Sequence, residues 1–417
     1  MDGFGEALRR ARRRAGLSQN RLAKLTNFTP GYVSKVESGE KAGSRLLAVR
    51  CDEVLQTGGD LIAAYEAAAE GRATDDLAGG NVHDVHRRTF ISLGTKTALG
   101  VATLAGIDMD GGQPTVTADD VTRLGQVITR LRALDQRHGS ADLWDVAADR
   151  AHGIAALLEH ATYTPEVGAA LVELTGRAYM CAGWLATDAG HHDAAHGFYT
   201  EALSYADQAD NPEIRVHALL NLALHAQILR RPRQMLRYVA AAERALPADL
   251  PGRVPAVVHM RRGRALAMLG EKADSLRAFA AARDAFDRDT RPPATWLPWF
   301  GHAEINAVEG EAAVDLRAPA RGVTLLEQAL DTYEDKYARN RALHLIRLSR
   351  ARATAGKIDG AAESTEAALD LLDDEVASVR VGAELRVLAE QLHTYRRNAA
   401  VSSVLARYRE TPYAATP

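Results

Sequence analysis

The chain has 417 residues, 47% of them hydrophobic and 25% charged, which is ordinary for a soluble globular protein and long enough for two or three domains. Two distant cysteines, Cys51 and Cys181, exclude a disulfide framework and a zinc-ligand spacing, so a reducing cytoplasm is expected. The net charge of −3 hides an asymmetry: residues 1–50 carry eleven Lys/Arg against four Asp/Glu, a local +7 joined to a body of −10. A basic head on an acidic body predicts a polyanion partner, and nucleic acid is the usual one. By charge alone, "RRARRR" would equally fit a solvated basic helix. Abundant alanine and few aromatics (6%) favour helices in close backbone contact.

The opening "MDGFGEALRR" has no apolar run after its charges and is not expected to be a secretion signal. The stretch "GLSQNRLAKLTNFTPGYVSKVESGEK" (16–41) carries denser information. Ser18 can cap a helix whose apolar face is expected from Leu22 and Leu25, with Ala23 small enough for a second helix to cross closely. Asn27 tolerates the left-handed backbone of a tight turn. Thr29 caps a second helix, Pro30 fits its first position, Val33 and Val36 form its buried side, and Gly39 ends it. Two short helices with such a turn make a helix-turn-helix.

These residues resemble the phage-repressor type of helix-turn-helix, the Xre family. The resemblance covers roughly residues 3–70, five predicted helices, and rests on Gln19, Ala23, the Thr29 cap, Tyr32-Val33-Ser34 and "ESG" at 37–39. In such a module the second helix enters the major groove with its amino-terminal residues on base edges. That places Pro30, Gly31, Ser34 and Lys35 at the bases, with Lys35 the one strong contact, to guanine acceptors. With so thin a reading head, part of the discrimination is expected from DNA shape. The resemblance implies a phosphate contact for Gln19, and Tyr32, Lys41 and Arg45 are further phosphate candidates. Arg12 and Glu37 stand where the family often places an internal ion pair. Repressors of this type usually act as dimers, so a homodimer on a double-stranded operator is expected.

Residues 86–106, "HRRTFISLGTKTALGVATLAG", look like a twin-arginine export signal placed far into the chain. Of the 18 residues 90–107, ten are strictly apolar, three are Gly, four are Ser/Thr, and Lys96 lies among them. A membrane span wants about 20 predominantly apolar residues. Flanking stretches rich in Gly and Asp, "ATDDLAGGN" and "DMDGGQP", mark linkers. The segment is expected to be a tethered helix packed on the body or a partner subunit, with no membrane contact. The expected domains are thus a head at 1–72, a linker at 73–117 and a body at 118–417.

From about Ala118 every segment reads as helix, and five units align on small residues. They are Gly183, Ala195, Tyr199, Ala202; Ala223, Met235, Val239, Ala242; Gly263, Ser275, Phe279, Ala282; Gly310, Gly322, Leu326, Ala329; and Ser349, Ala361, Thr365, Ala368. Within each unit the offsets are 12, 4 and 3, and between units the shifts are 40, 40, 47 and 39. The pattern resembles tetratricopeptide repeats, in which only small residues fit where the two helices of a unit cross. The departures are a period longer than the usual ~34 and Met235 at a small-residue position. Residues 119–160 look like one more helix pair, and 378–410 would close the stack.

The fold class expected is therefore all-α: a five-helix helix-turn-helix domain followed by an α-solenoid of tetratricopeptide-like repeats. Such arrays curl around a concave groove lined by the first helix of each unit. Arg177, Trp184, His217, Asn221, Arg261, Arg264, Glu304, Glu311, Arg347 and Arg350 align on that face. An Asn can hold both backbone groups of an extended peptide, and Arg can fork onto a carboxylate, so a signalling peptide or small anionic ligand is expected. Pairing between these arginines and glutamates would instead make a structural network.

No Walker loop, dinucleotide fingerprint, paired-His metal helix or nucleophile elbow occurs. "GHHD" (190–193) lies at an inter-helix turn, where adjacent His side chains diverge. No enzyme activity, cofactor or metal is expected. Together the modules resemble actinobacterial Xre-type regulators with a tetratricopeptide body and, more distantly, the peptide-pheromone receptors of the RRNPP group. The resemblance implies a cytoplasmic transcription regulator with a quorum-sensing type of signal input. The rival reading is an interaction scaffold recruited to DNA by its head.

Overall fold

Phe4 and Leu8 on one helix meet Leu22 and Ala23 on the next and Val33 and Val36 on a third, and these side chains form the core of the amino-terminal unit. In this computed structural model the described residues are 4–26, 30–39, 45–65, 67–68, 109–110, 113–138, 143–247, 253–332, 337–374 and 378–414. The chain divides into two compact units, one of Met1–Gly94 with Leu405–Pro417 and one of Thr95–Val404. The expected tethered helix at 86–106 lies outside the described residues, as do Asn27 and Thr29 of the turn.

The amino-terminal unit contains α1 (Phe4–Arg14), α2 (Gln19–Thr26), α3 (Pro30–Glu37) and α4 (Arg45–Leu55), followed by helical residues 60–65. Ser18 caps α2 by accepting from the Arg21 N–H at 3.1 Å, satisfying one of the free donors of the first turn. Gly5 lets α1 approach α3: a Cβ there would lie 1.9 Å from the Val36 carbonyl oxygen. One expectation needs correcting. Leu25 is 44% exposed. The buried side of α2 is Leu22, Ala23 and Thr26, and the Thr26 hydroxyl is satisfied by donating to the Leu22 carbonyl at 2.8 Å. At 100° per residue Leu25 falls on the far side of Leu22 from that face, so hydrophobicity named it and helix phase turned it outward.

Asp52 fixes the loop after α4. Its carboxylate accepts from the Thr57 hydroxyl and from the N–H groups of Gly59 and Leu61. Burial would raise its pKa, but these hydrogen bonds hold it below the usual carboxylate value.

In the second unit a short antiparallel pair, β1 (Met109–Asp110) with β2 (Gln113–Pro114), precedes the helices. The first helix pair is α5 (Ala118–His138) and α6 (Trp144–His160). Five pairs follow. They are α7 (Pro165–Asp188) with α8 (His192–Gln208), α9 (Pro212–Ile228) with α10 (Pro232–Arg244), and α11 (Val254–Met268) with α12 (Lys272–Arg288). Then come α13 (His302–Asp315) with α14 (Pro319–Thr332) and α15 (Ala338–Thr354) with α16 (Ile358–Asp374). Helix α17 (Val379–His393) follows, and then α18 (Ala399–Glu410), whose residues up to Val404 belong to this unit. Thr164 and Asn211 cap α7 and α9, each with Pro at the first helical position, the arrangement that suits a missing N–H.

The aligned residues are the crossing points of these pairs. A Cβ on Gly263 would lie 2.9 Å from the Phe279 ring, and one on Gly183 would lie 2.6 Å from the Tyr199 ring. Ser275 and Ser349 fit because their hydroxyls donate across the crossing to the carbonyls of Gly263 and Ala361, both at 2.8 Å. Met235 is fully buried at the crossing of α9 and α10, where an unbranched, flexible side chain can fill an irregular gap. The shift of 47 has a local cause. Residues 289–301 form a connecting loop that inserts Ala294, Leu297 and Phe300 into the core of the central pairs.

The first helix of each pair touches the first helix of the next, from α7 through α9, α11, α13 and α15 to α17, and α17 in turn touches α7. The expected concave face is thus turned inward. Through these contacts the first helices from α7 to α17 form a closed circle.

Candidate nucleic-acid interface and the charged interior

One carboxylate ties the amino-terminal helices together. Arg12 on α1 donates from Nε to Glu37 Oε1 at 2.5 Å and from a terminal nitrogen to Oε2 at 2.7 Å, and its other terminal nitrogen donates to the Leu17 carbonyl at 2.7 Å. Gln19, the first residue of α2, donates to the same Glu37 Oε2 at 2.8 Å. Burial alone would raise the Glu37 pKa; the bonds from Arg12 and Gln19 and the arginine charge hold it below the usual value. The last turn of α3 is therefore locked to the start of α2. Gln19 still has one amide N–H beyond this bond, so a phosphate contact remains open to it.

With Val33, Val36 and Glu37 buried, the other face of α3 presents Pro30, Gly31, Ser34 and Lys35 to solvent. These are four of the residues expected at base edges, gathered on one face by the 3.6-residue period. Lys41 and the side chains of Tyr32 and Arg45 lie outside the described residues. Arg50 is an addition: its guanidinium caps the end of α2 by donating to the Thr26 carbonyl at 3.1 Å. Cys51 packs in this core, where burial pushes its thiol up to about 12, far from a reactive thiolate.

The interior of the helical circle is charged. Arg339 on α15 forks onto Asp135 of α5 at 2.7 and 2.8 Å and reaches Asp188 of α7 at 3.1 Å. Arg380 on α17 donates from Nε to Asp188 at 3.0 Å. The Trp184 indole donates to Asp135 at 2.9 Å, and its ring lies 5.5 Å from the Arg339 guanidinium carbon and 5.3 Å from that of Arg380. Further round, Arg264 donates to Glu311 and Asp315, both at 2.6 Å. Arg347 lies 3.5 Å from Glu311 and 3.3 Å from Glu384, and Arg350 lies 3.9 Å from Glu384. Glu304 meets His344 at 3.2 Å. Burial would raise the Glu304 pKa, but the His344 hydrogen bond and the charges of His344, Arg347 and Arg261 bring it down to about 2.

This network engages most of the side chains on the expected ligand face. Arg264 is 1% exposed with both terminal nitrogens on carboxylates, a buried ion pair. Arg347, Glu304 and Glu311 are committed to one another or to neighbours, and Trp184 belongs to the closure of the circle. His217 stacks on Trp296 with ring centres 3.9 Å apart and planes 10° apart. Arg350 is half-buried beside Glu384. Arg177 is exposed, with Glu173 at 3.8 Å, and Asn221 is half-buried. Arg261 is 7% exposed, and its Nε has no hydrogen-bond partner. Asp135, Asp188, Arg339, Arg380, Glu384 and His344 were not singled out from the sequence. Asp135 and Arg339 are 204 residues apart, so no local pattern pairs them.

In the "GHHD" turn His191 lies against Trp144, ring centres 4.2 Å apart, and His192 faces His225 at 5.3 Å. Among the described residues no group of three His, Cys, Asp or Glu stands where it could hold a metal ion. Among them, too, no helix is long and apolar enough to cross a membrane.

The class defined by this architecture is an all-α chain with a helix-turn-helix head and a body of tetratricopeptide-like helix pairs. Residues 4–65 match the family model described as a helix-turn-helix domain. Among solved structures the chain is similar to one in the APC/C hetero-tetramer Cut9-Hcn1, at 12% identity over 91% of this chain and 86% of that one, with a TM-score of 0.36. It is also similar to a monomeric IFIT1 mutant with Gppp-AAAA, at 11% identity over 98% of this chain and 86% of that one, with a TM-score of 0.38. No curated protein matches the sequence. The repeat character of the body rests on its own helix crossings.

Proposed function

We propose that the chain is a DNA-binding transcription regulator, acting as a homodimer, whose repeat body takes a peptide or small-molecule signal and carries out no catalysis. The observation that carries this reading is α3. Its outer face is free, its inner face is fixed, and the Arg12–Glu37–Gln19 bonds hold its angle to α2. A recognition helix needs that combination, because base contacts are lost when the helix can rock in the groove. A small change in the curvature of the body would alter the spacing of two heads on two half-sites.

Selection of duplexes from a random library with the full-length chain tests this reading. A two-fold-related motif with half-sites about one helical turn apart, or a multiple of it, is expected. Recovery of unrelated sequences with salt-limited affinity alone would remove the regulator reading. The scaffold reading gains from the paired interior, which leaves the outer helices as the accessible surface; it predicts a stoichiometric protein partner on purification from the native host.

A further inference from the structure

Every other arginine that the alignment placed on the inner face has a carboxylate within 4 Å, whereas Arg261 has none among the described residues. It lies on α11, more than nine-tenths buried, with Nε unpartnered and no ion pair to a described carboxylate. The charges nearest in effect are Glu304, Arg347, Arg380 and Glu311. Both acids are already engaged, Glu304 by His344 and Glu311 by Arg264 and Arg347. Both bases repel it. Burial first, and then Arg347 and Arg380, depress its pKa to about 10 against the partial support of Glu304 and Glu311. A buried guanidinium without a counter-ion is strongly disfavoured unless something supplies the negative charge. A planar fork of N–H donors fits an oxyanion held by two of its oxygens.

We infer that Arg261 receives the oxyanion of a small ligand, a carboxylate or a phosphoryl group, inside the closed circle of first helices. This deepens the signal-binding part of the proposed function and rests on it, but it names one receiving residue in place of a row of arginines. The neighbouring Arg347 and Arg380 add positive potential and remain bound to Glu384 and Asp188. The ligand therefore completes a charge balance that the chain leaves open, and the ion pairs around the site need not break.

The test is the thermal midpoint of the full chain titrated with inorganic phosphate or with acetate, against chloride at equal ionic strength. Such anions also stabilise proteins by exclusion from their surface, so the quantity read is the difference between the wild-type shift and that of Arg261→Gln. An excess shift of about 2 °C or more in the wild type is expected, since binding to the native state alone raises the midpoint. Arg288→Gln, at an exposed pair with Asp284, should keep that excess. Which salt gives the excess distinguishes carboxylate from phosphoryl. Should Arg261→Gln fail to fold, Arg261→Lys replaces it, with a reduced excess expected because a point charge cannot fork. Equal shifts in wild type and variant, or none in the wild type, would overturn the inference. Operator binding is not read, so failure of the regulator reading would appear separately.

Discussion

Asp188 accepts a 3.0 Å hydrogen bond from Arg380, a residue 192 positions away, and with Arg339 this pair joins α15 and α17 to α7. Asp188 is fully buried. Its carboxylate is the meeting point of α7, α15 and α17, and burial that would raise its pKa is outweighed by the two guanidinium charges. Removing its charge leaves both arginines short of a partner. Asp188→Asn should lower stability by about 3 kcal/mol and increase the radius of gyration of the chain. Chemical denaturation with small-angle scattering checks both; an unchanged midpoint would show that apolar packing alone closes the circle.

The Arg12–Glu37 pair makes a similar prediction for the head. Glu37→Gln should destabilise the amino-terminal unit by about 3 kcal/mol, because Arg12 stays buried without its counter-charge. Replacing both residues by Met should recover most of that loss. Hydrogen exchange resolved over residues 4–55 measures the local effect. A double variant as unstable as the single would mean that the Arg12 bond to the Leu17 carbonyl matters more than the ion pair.

Lys35 and Gln19 should separate on DNA. Lys35→Ala should narrow the gap between selected and scrambled duplexes by about tenfold, in keeping with ~1–3 kcal/mol per base contact. Gln19→Ala should weaken both classes alike. Binding curves on the two duplex classes decide it, and equal loss of discrimination in both variants would mean a different docking of α3.

Two glycines should respond in opposite directions. Gly263→Ala places a methyl against the Phe279 ring and should cost about 1–3 kcal/mol. Gly197→Ala, inside α8 with nothing within 4 Å, should stabilise by about 0.5–1 kcal/mol. Thermal midpoints of the two variants give the comparison, and a neutral Gly263→Ala would mean that the α11–α12 crossing can widen freely.

Acid should loosen the body through His225. Burial, then the charges of His192, His196 and Arg231, depress its pKa to about 4, against Asp193. The unfolded chain takes up that proton near pH 6.5. Between about pH 6.5 and about pH 4 the unfolded state therefore binds more protons, and stability falls as the pH falls. The Glu304 contribution is lost lower, from its unfolded value near 4.3 down to about 2. His225→Phe should flatten the midpoint between pH 7 and pH 5, and an unaltered slope there would assign the effect to other histidines.

The sequence by itself determined what is local or periodic. Caps, a proline at the first helical position and apolar spacing identify the head, because each acts within one turn of its own helix. The offsets of 12, 4 and 3 identify the helix crossings, because a crossing excludes a side chain wherever two backbones meet, whatever else surrounds it. Tertiary structure decided what depends on distant charges. Arg264 and Arg261 lie three positions apart, on one face of one helix, and no local pattern distinguishes them. One is paired with Glu311 and Asp315 while the other has no carboxylate partner among the described residues, and that difference is set by where α13, α15 and α17 come to lie. The same applies to closure. A repeat fixes the angle between neighbouring pairs, but whether the array stays open or returns on itself depends on the sum of those angles and on Asp135, Asp188, Arg339 and Arg380 meeting in a low-dielectric interior, where a paired charge is retained and an unpaired one is strongly disfavoured.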